Sequence, residues 1–164
     1  MLYAAYGSNL HPIRLGRRLV APRLVGTAFV EGRAVKFHKR SRIDGSGKGN
    51  LAGQGDGTWL AIFELDAADF GRLDRIEGVG LGYDRVVLEV PGYAGCMTYV
   101  AQPDYVDDAL RPYDWYLELV LAGCRYHRFP AHYVESLAAV PSTADADRQR
   151  AAQNFTLLES MRTA

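Results

Sequence analysis

The chain has 164 residues, 48% hydrophobic and 23% charged, an ordinary globular mix long enough for one domain with a sizeable core. Nineteen Lys and Arg residues balance nineteen Asp and Glu, so the chain as a whole has no general attraction for nucleic-acid phosphates or anionic membranes. Cys96 and Cys124 are too few for a disulfide framework and have no metal-ligand spacing, so both are expected as buried thiols. The first ten residues lack the pattern of a secretory signal, and no stretch approaches the roughly 18 apolar residues of a membrane span, so a cytoplasmic protein is expected.

Leu2-Tyr3-Ala4-Ala5-Tyr6 is short, apolar and ended by Gly7, the pattern of a buried strand. Gly7-Ser8-Asn9 follows as a tight turn, with Gly supplying backbone freedom and Ser and Asn able to bond nearby amides. Pro12 suits a first helical turn, and residues 14–20 read as a short helix. Residues 23–38 read as two strands or one bent strand, broken at Glu31-Gly32. Ser41–Gly57, rich in Gly, Ser, Asp and Lys, reads as a mobile loop. Thr58–Leu65 is a strand, and Asp66 caps a helix running through Ile76. Gly78, Gly80 and Gly82 make a flexible exit. Tyr83–Val90 and Tyr93–Ala101 form a hairpin across Pro91-Gly92.

Pro112 starts a helix with Tyr113, Tyr116, Leu117, Val120, Leu121 and Cys124 on one face. Pro130 starts another over 131–139, which Pro141 ends. Ser142 is then expected to cap a last helix reaching about Met161, with Phe155, Leu158 and Met161 turned inward. Strands dominate the first two thirds and helices the last third. The expected fold is a single α+β domain over residues 1–140, its mixed sheet curling towards a small barrel with flanking helices. Residues 141–164 are expected as a C-terminal helical extension, or equally as a partner-binding or frayed tail.

Three features invite chemistry. The turn after the first strand points backbone amides outward at a helix start, a setting that binds a carboxylate or phosphate; its bland reading is a capping turn. Glu77 closes a mostly apolar helix beside Ile76, Val79 and Leu81, where poor solvation would suit a carboxylate to proton transfer, and its charge opposes the helix dipole. The bland reading is a solvated helix end. Ten tyrosines are many for this length, and Tyr83 and Tyr113 lie beside loops, where a phenol can donate to a ligand or simply pack.

Other motifs fail. Gly45–Gly49 lacks the Gly-Lys-Ser/Thr ending of a phosphate loop, and Gly78–Gly82 follows a helix rather than a strand. Ser8 lacks the second glycine of a nucleophile elbow, and the four histidines have no zinc spacing. Lys36, Lys39, Arg40, Arg42 and Lys48 form the sole basic cluster and read as a solvated loop face.

Tyr6-Gly7-Ser8-Asn9-Leu10 after an N-terminal apolar strand resembles the signature of the γ-glutamylcyclotransferase family. The likeness continues in order. Leu73-Asp74-Arg75-Ile76-Glu77-Gly78-Val79 is followed by Gly82-Tyr83, the strands Arg85–Val90 and Tyr93–Val100, then Tyr113 through Gly123-Cys124 and Phe129-Pro130 to Tyr133. It spans residues 2–137, and nothing after Pro141 takes part. The resemblance implies an α+β domain with a small barrel and a ligand cavity lined by the backbone of Tyr6, Gly7, Ser8, Asn9 and Leu10. It implies Glu77 as catalytic base, with Tyr83 and Tyr113 where the family carries aromatic residues.

The implied reaction is cyclisation of a γ-glutamyl amide to 5-oxoproline, with the substrate's own α-amine as nucleophile. It calls for no metal, nucleotide or other cofactor. The expected partner is a small γ-glutamyl substrate, and the chain is expected as a monomer or homodimer. Alternatives are a cyclotransferase for γ-glutamyl amines or for an acyl-protected antibiotic precursor, and a binding protein that kept the cavity without the chemistry.

Overall fold

Residues 1–162 are described by a computed structural model. Alternation along strand β1 (Leu2–Ala5) sets the two sides of the fold, because successive side chains of a strand point to opposite faces. Tyr3 and Ala5 enter the larger apolar core, and Ala4 and Tyr6 enter the smaller one. Strand β5 (Thr58–Glu64) pairs antiparallel with β1 and repeats the pattern: Ala61 and Phe63 join the larger core, Leu60 and Ile62 the smaller.

Around this pair lie β2 (Arg23–Val30), β6 (Tyr83–Val90) and β7 (Tyr93–Ala101). The sheet order is β2-β5-β1-β7-β6, with β1 and β7 parallel and the other neighbours antiparallel. The larger core lies against helices α2 (Ala67–Glu77), α3 (Asp114–Tyr126), α4 (Ala131–Ala138) and α5 (Arg148–Arg162). Its side chains are of the Phe63 and Phe70 kind, fully buried and each stabilising the fold by about 1.5–3 kcal/mol. Cys96 and Cys124 are free and buried, as expected; burial pushes the Cys124 thiol up to about 12. Among the described residues no helix is long and apolar enough to cross a membrane.

The α+β class and mixed sheet agree with expectation, but the sheet does not close into a barrel. Its edges β2 and β6 stay unpaired with each other, and β3 (Arg33–Arg40) and β4 (Gly47–Gly53) form a separate antiparallel ladder. This ladder joins the main sheet partly through side chains: Asn50 Oδ1 accepts the Ala101 amide at 2.8 Å, and the Tyr83 hydroxyl donates to the Gly49 carbonyl at 2.5 Å. Residues 47–53 therefore correct the expectation of a loop over 41–57. Helix α1 (Pro12–Gly16) is shorter than the 14–20 expected; His11 caps it, its Nδ1 accepting the Ile13 amide at 3.2 Å. The last helix starts at Arg148 and not near Ser142, because Asp147 takes the capping role, its Oδ1 accepting the Arg150 amide at 3.0 Å. Leu157, Leu158 and Met161 are its buried residues, whereas Phe155 is 40% exposed.

Candidate active site

Glu77 is the last residue of α2. Asp66 begins that helix by accepting the Asp69 amide, and Gly78 ends it at φ 72°, the left-handed conformation that glycine adopts freely. The chain turns away at once, and the Glu77 side chain is left 19% exposed. Asp69, buried in the same helix, accepts the Val20 amide at 2.9 Å and the Ala21 amide at 3.0 Å. That contact fixes the segment after α1 and holds Arg18 near Glu77.

The turn after β1 supplies the third partner. Asn9 Nδ2 donates to Glu77 Oε1 at 2.9 Å and to the Tyr3 hydroxyl at 3.1 Å. Arg18 Nη1 donates to the same Oε1 at 3.0 Å and to Asn9 Oδ1 at 3.1 Å. Both bonds to the carboxylate fall on Oε1, and Oε2 accepts none among the described residues. This corrects the expected apolar setting: Ile76, Val79 and Leu81 are exposed, and Glu77 is met by an amide and a guanidinium. The turn itself closes on one backbone hydrogen bond, Leu10 amide to Gly7 carbonyl at 3.0 Å. The amides of Ser8 and Asn9 have no acceptor among the described residues.

A group of phenols surrounds this centre, and three of them converge on one peptide unit. Gly49 donates its amide to the Tyr116 hydroxyl at 3.0 Å, its carbonyl accepts from Tyr83 at 2.5 Å, and the Tyr6 hydroxyl, which donates to the Tyr99 carbonyl at 2.6 Å, lies 3.5 Å from the same carbonyl. Gly49 is free to do so because the β3–β4 register slips between Lys36 and Lys39, setting two residues of β3 against one of β4. Burial raises the pKa of Tyr3, Tyr6, Tyr83 and Tyr116 above the ordinary phenol value, so these walls are neutral hydroxyls at neutral pH.

Two cavities meet here. An inner one of about 30 Å³ lies among Tyr3, Tyr6, Gly7, Asn9, Gly49 and Tyr99. An outer one of about 420 Å³, within the range of small-molecule sites, opens beyond. Ser8, Glu77, Tyr83 and Tyr116 line both.

Residues 58–137 match the sequence model of the AIG2-like family, and no curated protein matches the chain. Among solved structures, a gamma-glutamyl cyclotransferase superposes with TM-score 0.80 at 20% identity, covering 100% of this chain and 99% of that one. The chain has a γ-glutamylcyclotransferase-like fold. An uncharacterised protein from Homo sapiens reaches TM-score 0.76 at 24% identity, covering 87% of this chain and 88% of that one. YkqA from Bacillus subtilis reaches 0.71 at 19%, covering 87% and 56%. At these identities the structural likeness is one of fold.

Within this γ-glutamylcyclotransferase-like fold, the sequence-predicted residues Tyr6, Gly7, Ser8, Asn9, Glu77 and Tyr83 come together at the two cavities. Leu10 and Tyr113 line neither. Leu10 is fully buried beneath α3, where a Cβ on Gly123 would come within 2.4 Å of its own Cβ. Tyr113 donates to the Asp44 carbonyl at 3.3 Å from behind the cavity wall.

Sequence reading missed Arg14 and Arg18 on and after α1, Trp115 and Tyr116 on α3, and Arg150 and Asn154 on α5, all of which line the outer cavity. The basic cluster is also corrected. Lys39 is 5% exposed, with its ammonium 4.5 Å from the Tyr83 ring centre, and Lys48 lies over the rings of Trp115 and Tyr116. Burial lowers the pKa of both lysines. A period-2 reading of β3 puts Lys39 on the face of Phe37, which was the available cue.

Proposed function

We propose that the chain cyclises a γ-glutamyl amide to 5-oxoproline, releasing the amine or amino acid that the γ-carbonyl carried. The α-amine nitrogen attacks the γ-carbonyl carbon and forms the ring C–N bond. The amide C–N bond then breaks, and the proton lost by the amine ends on the leaving nitrogen, so no water is consumed. In this reading Glu77 carries that proton on Oε2. The Ser8 and Asn9 amides hold the substrate's α-carboxylate or the oxyanion that develops on the γ-carbonyl. The neutral phenols exclude water and keep the substrate folded back on itself, and holding that geometry is itself a large rate term.

One observation carries the reading: Glu77 is tethered through Oε1 by Asn9 and Arg18 while Oε2 accepts no hydrogen bond among the described residues, at the wall where two cavities meet. The fold likeness to a gamma-glutamyl cyclotransferase points the same way. The test is 5-oxoproline release, followed by mass spectrometry, from γ-glutamyl-alanine and γ-glutamyl-ethylamine. Glu77→Gln, shown folded by circular dichroism, is expected to lose roughly 100-fold or more in turnover. Wild-type turnover in that variant would refute the assignment.

A further inference from the structure

Seven residues lining the outer cavity are Lys or Arg, and only Asp44 and Glu77 are acidic. Both acids are already taken: Lys48 Nζ lies 2.9 Å from Asp44, and Arg18 lies 3.0 Å from Glu77. Arg150 is held by Asp145 and Asp147, which do not line the cavity. Arg14, Lys39, Arg42 and Arg75 remain, and among the described residues none of them pairs with a carboxylate. Arg14 Nε is buried with no hydrogen-bond partner, and the Lys39 ammonium rests over the rings of Tyr83 and Tyr105 at 4.5 and 5.7 Å. Arg42 and Arg75 stand exposed at the cavity's edge.

All four cations repel one another, and water reaches Arg14 and Lys39 poorly against their low-dielectric walls. Burial, then neighbouring Arg18, lowers the Arg14 pKa to about 10, still charged at neutral pH. An anion bound among these groups relieves both penalties. A substrate whose glutamyl head sits at the Ser8–Glu77 wall sends its leaving group into this outer space. A single carboxylate there answers one of four free cations, whereas two answer buried and rim cations together.

Resting on the cyclotransferase reading, we propose that the outer cavity selects leaving groups bearing two carboxylates, so that this chain acts on γ-glutamyl derivatives of dicarboxylic amino acids such as glutamate or aspartate. Arg14 and Lys39 set the inner contact, and Arg42 and Arg75 the outer one.

The test compares kcat/KM for γ-glutamyl-glutamate, γ-glutamyl-alanine and γ-glutamyl-ethylamine at low and high NaCl. The expected order is glutamate over alanine over ethylamine, by roughly 10-fold per carboxylate at low salt, with the steps shrinking as salt screens them. The double variant Arg42→Gln/Arg75→Gln is expected to bring the glutamate and alanine derivatives within roughly 3-fold of each other. Calorimetry on Glu77→Gln adds a readout without turnover, with free glutamate expected to bind more tightly than free alanine. Ethylamine turnover equal to or above that of the glutamate derivative would overturn the selectivity and leave the cyclotransferase reading intact. No 5-oxoproline from any of the three compounds would remove both. Inorganic phosphate inhibiting more strongly than free glutamate at matched ionic strength would reassign the cavity to a phosphate-bearing ligand and overturn the proposal.

Discussion

Asn9 joins three groups through one short side chain, donating to Glu77 and Tyr3 and accepting from Arg18. Asn9→Ala removes a charge-assisted tether of about 1.5–3 kcal/mol, and kcat is expected to fall roughly 10- to 100-fold while KM changes little. A parallel rise in KM would mean that Asn9 binds substrate instead of positioning Glu77. The phenols around Gly49 are unequal in a way that can be measured. Tyr83→Phe removes the close donor to the Gly49 carbonyl, because the Tyr6 hydroxyl gives its proton to the Tyr99 carbonyl at 2.6 Å, but a carbonyl tolerates a missing partner better than the buried Gly49 amide, which Tyr116→Phe leaves without an acceptor. Tyr116→Phe is therefore expected to lower stability more, by about 1–3 kcal/mol, in denaturant titration. Equal losses would exclude the orphaned amide as the cause.

At the level of elements, what was legible and what was not divides along physical lines. Helix α2 was legible because both its stop signals are local: an aspartate cap at Asp66 and a left-handed glycine at Gly78. Strand β4 was not. Gly47-Lys48-Gly49-Asn50 has the composition of a loop and low strand propensity, and it becomes a strand because β3 pairs with it across a bulge. The start of α5 was misread because Asp147 and Ser142 are both acceptable caps, and Asp145 decides between them through a contact with Trp115 in another helix. Gly123 illustrates how an element positions the turn. Its Cα lies so close to Leu10 that a Cβ would meet both side chain and backbone there. Gly123→Ala is expected to cost about 1–3 kcal/mol by overpacking, and to lower turnover by shifting the turn that carries Asn9. A destabilised variant with full activity per folded molecule would break the link between α3 and the site.

Across the whole molecule, the neutral net charge concealed the cavity's electrostatics, because a sum over the chain discards position. The pair Glu77 and the Tyr6–Asn9 turn was legible as two motifs; the cations facing them come from α1 and the segment after it, β3, the β3–β4 turn, β4, α2 and α5, and only the fold collects them. Residues 141–164 were set apart as an extension, yet Arg150 and Asn154 line the outer cavity. Asp145 fastens this segment: its fully buried carboxylate accepts from Arg150 Nε at 2.6 Å and from the Trp115 indole at 2.9 Å. Those bonds, Arg150's first, hold the Asp145 carboxyl at about 2, below its ordinary 3.8. The folded pKa is the lower one, so the stabilisation is present above roughly pH 4 and is lost as pH falls towards 2. Thermal midpoints measured from pH 5 to 2 are expected to fall less steeply for Asp145→Asn than for the natural chain. Parallel curves would show that this carboxylate does not govern the acid response.

The cavity wall draws on Ser8, just after β1, and on Asn154, in α5. A polypeptide still threaded through the ribosome can pair β1 with β5 long before α5 has emerged, but it cannot enclose a ligand. Products cut before α5 should thus be inert while still retaining most of the sheet, and small-molecule protection against proteolysis should begin only once α5 has emerged.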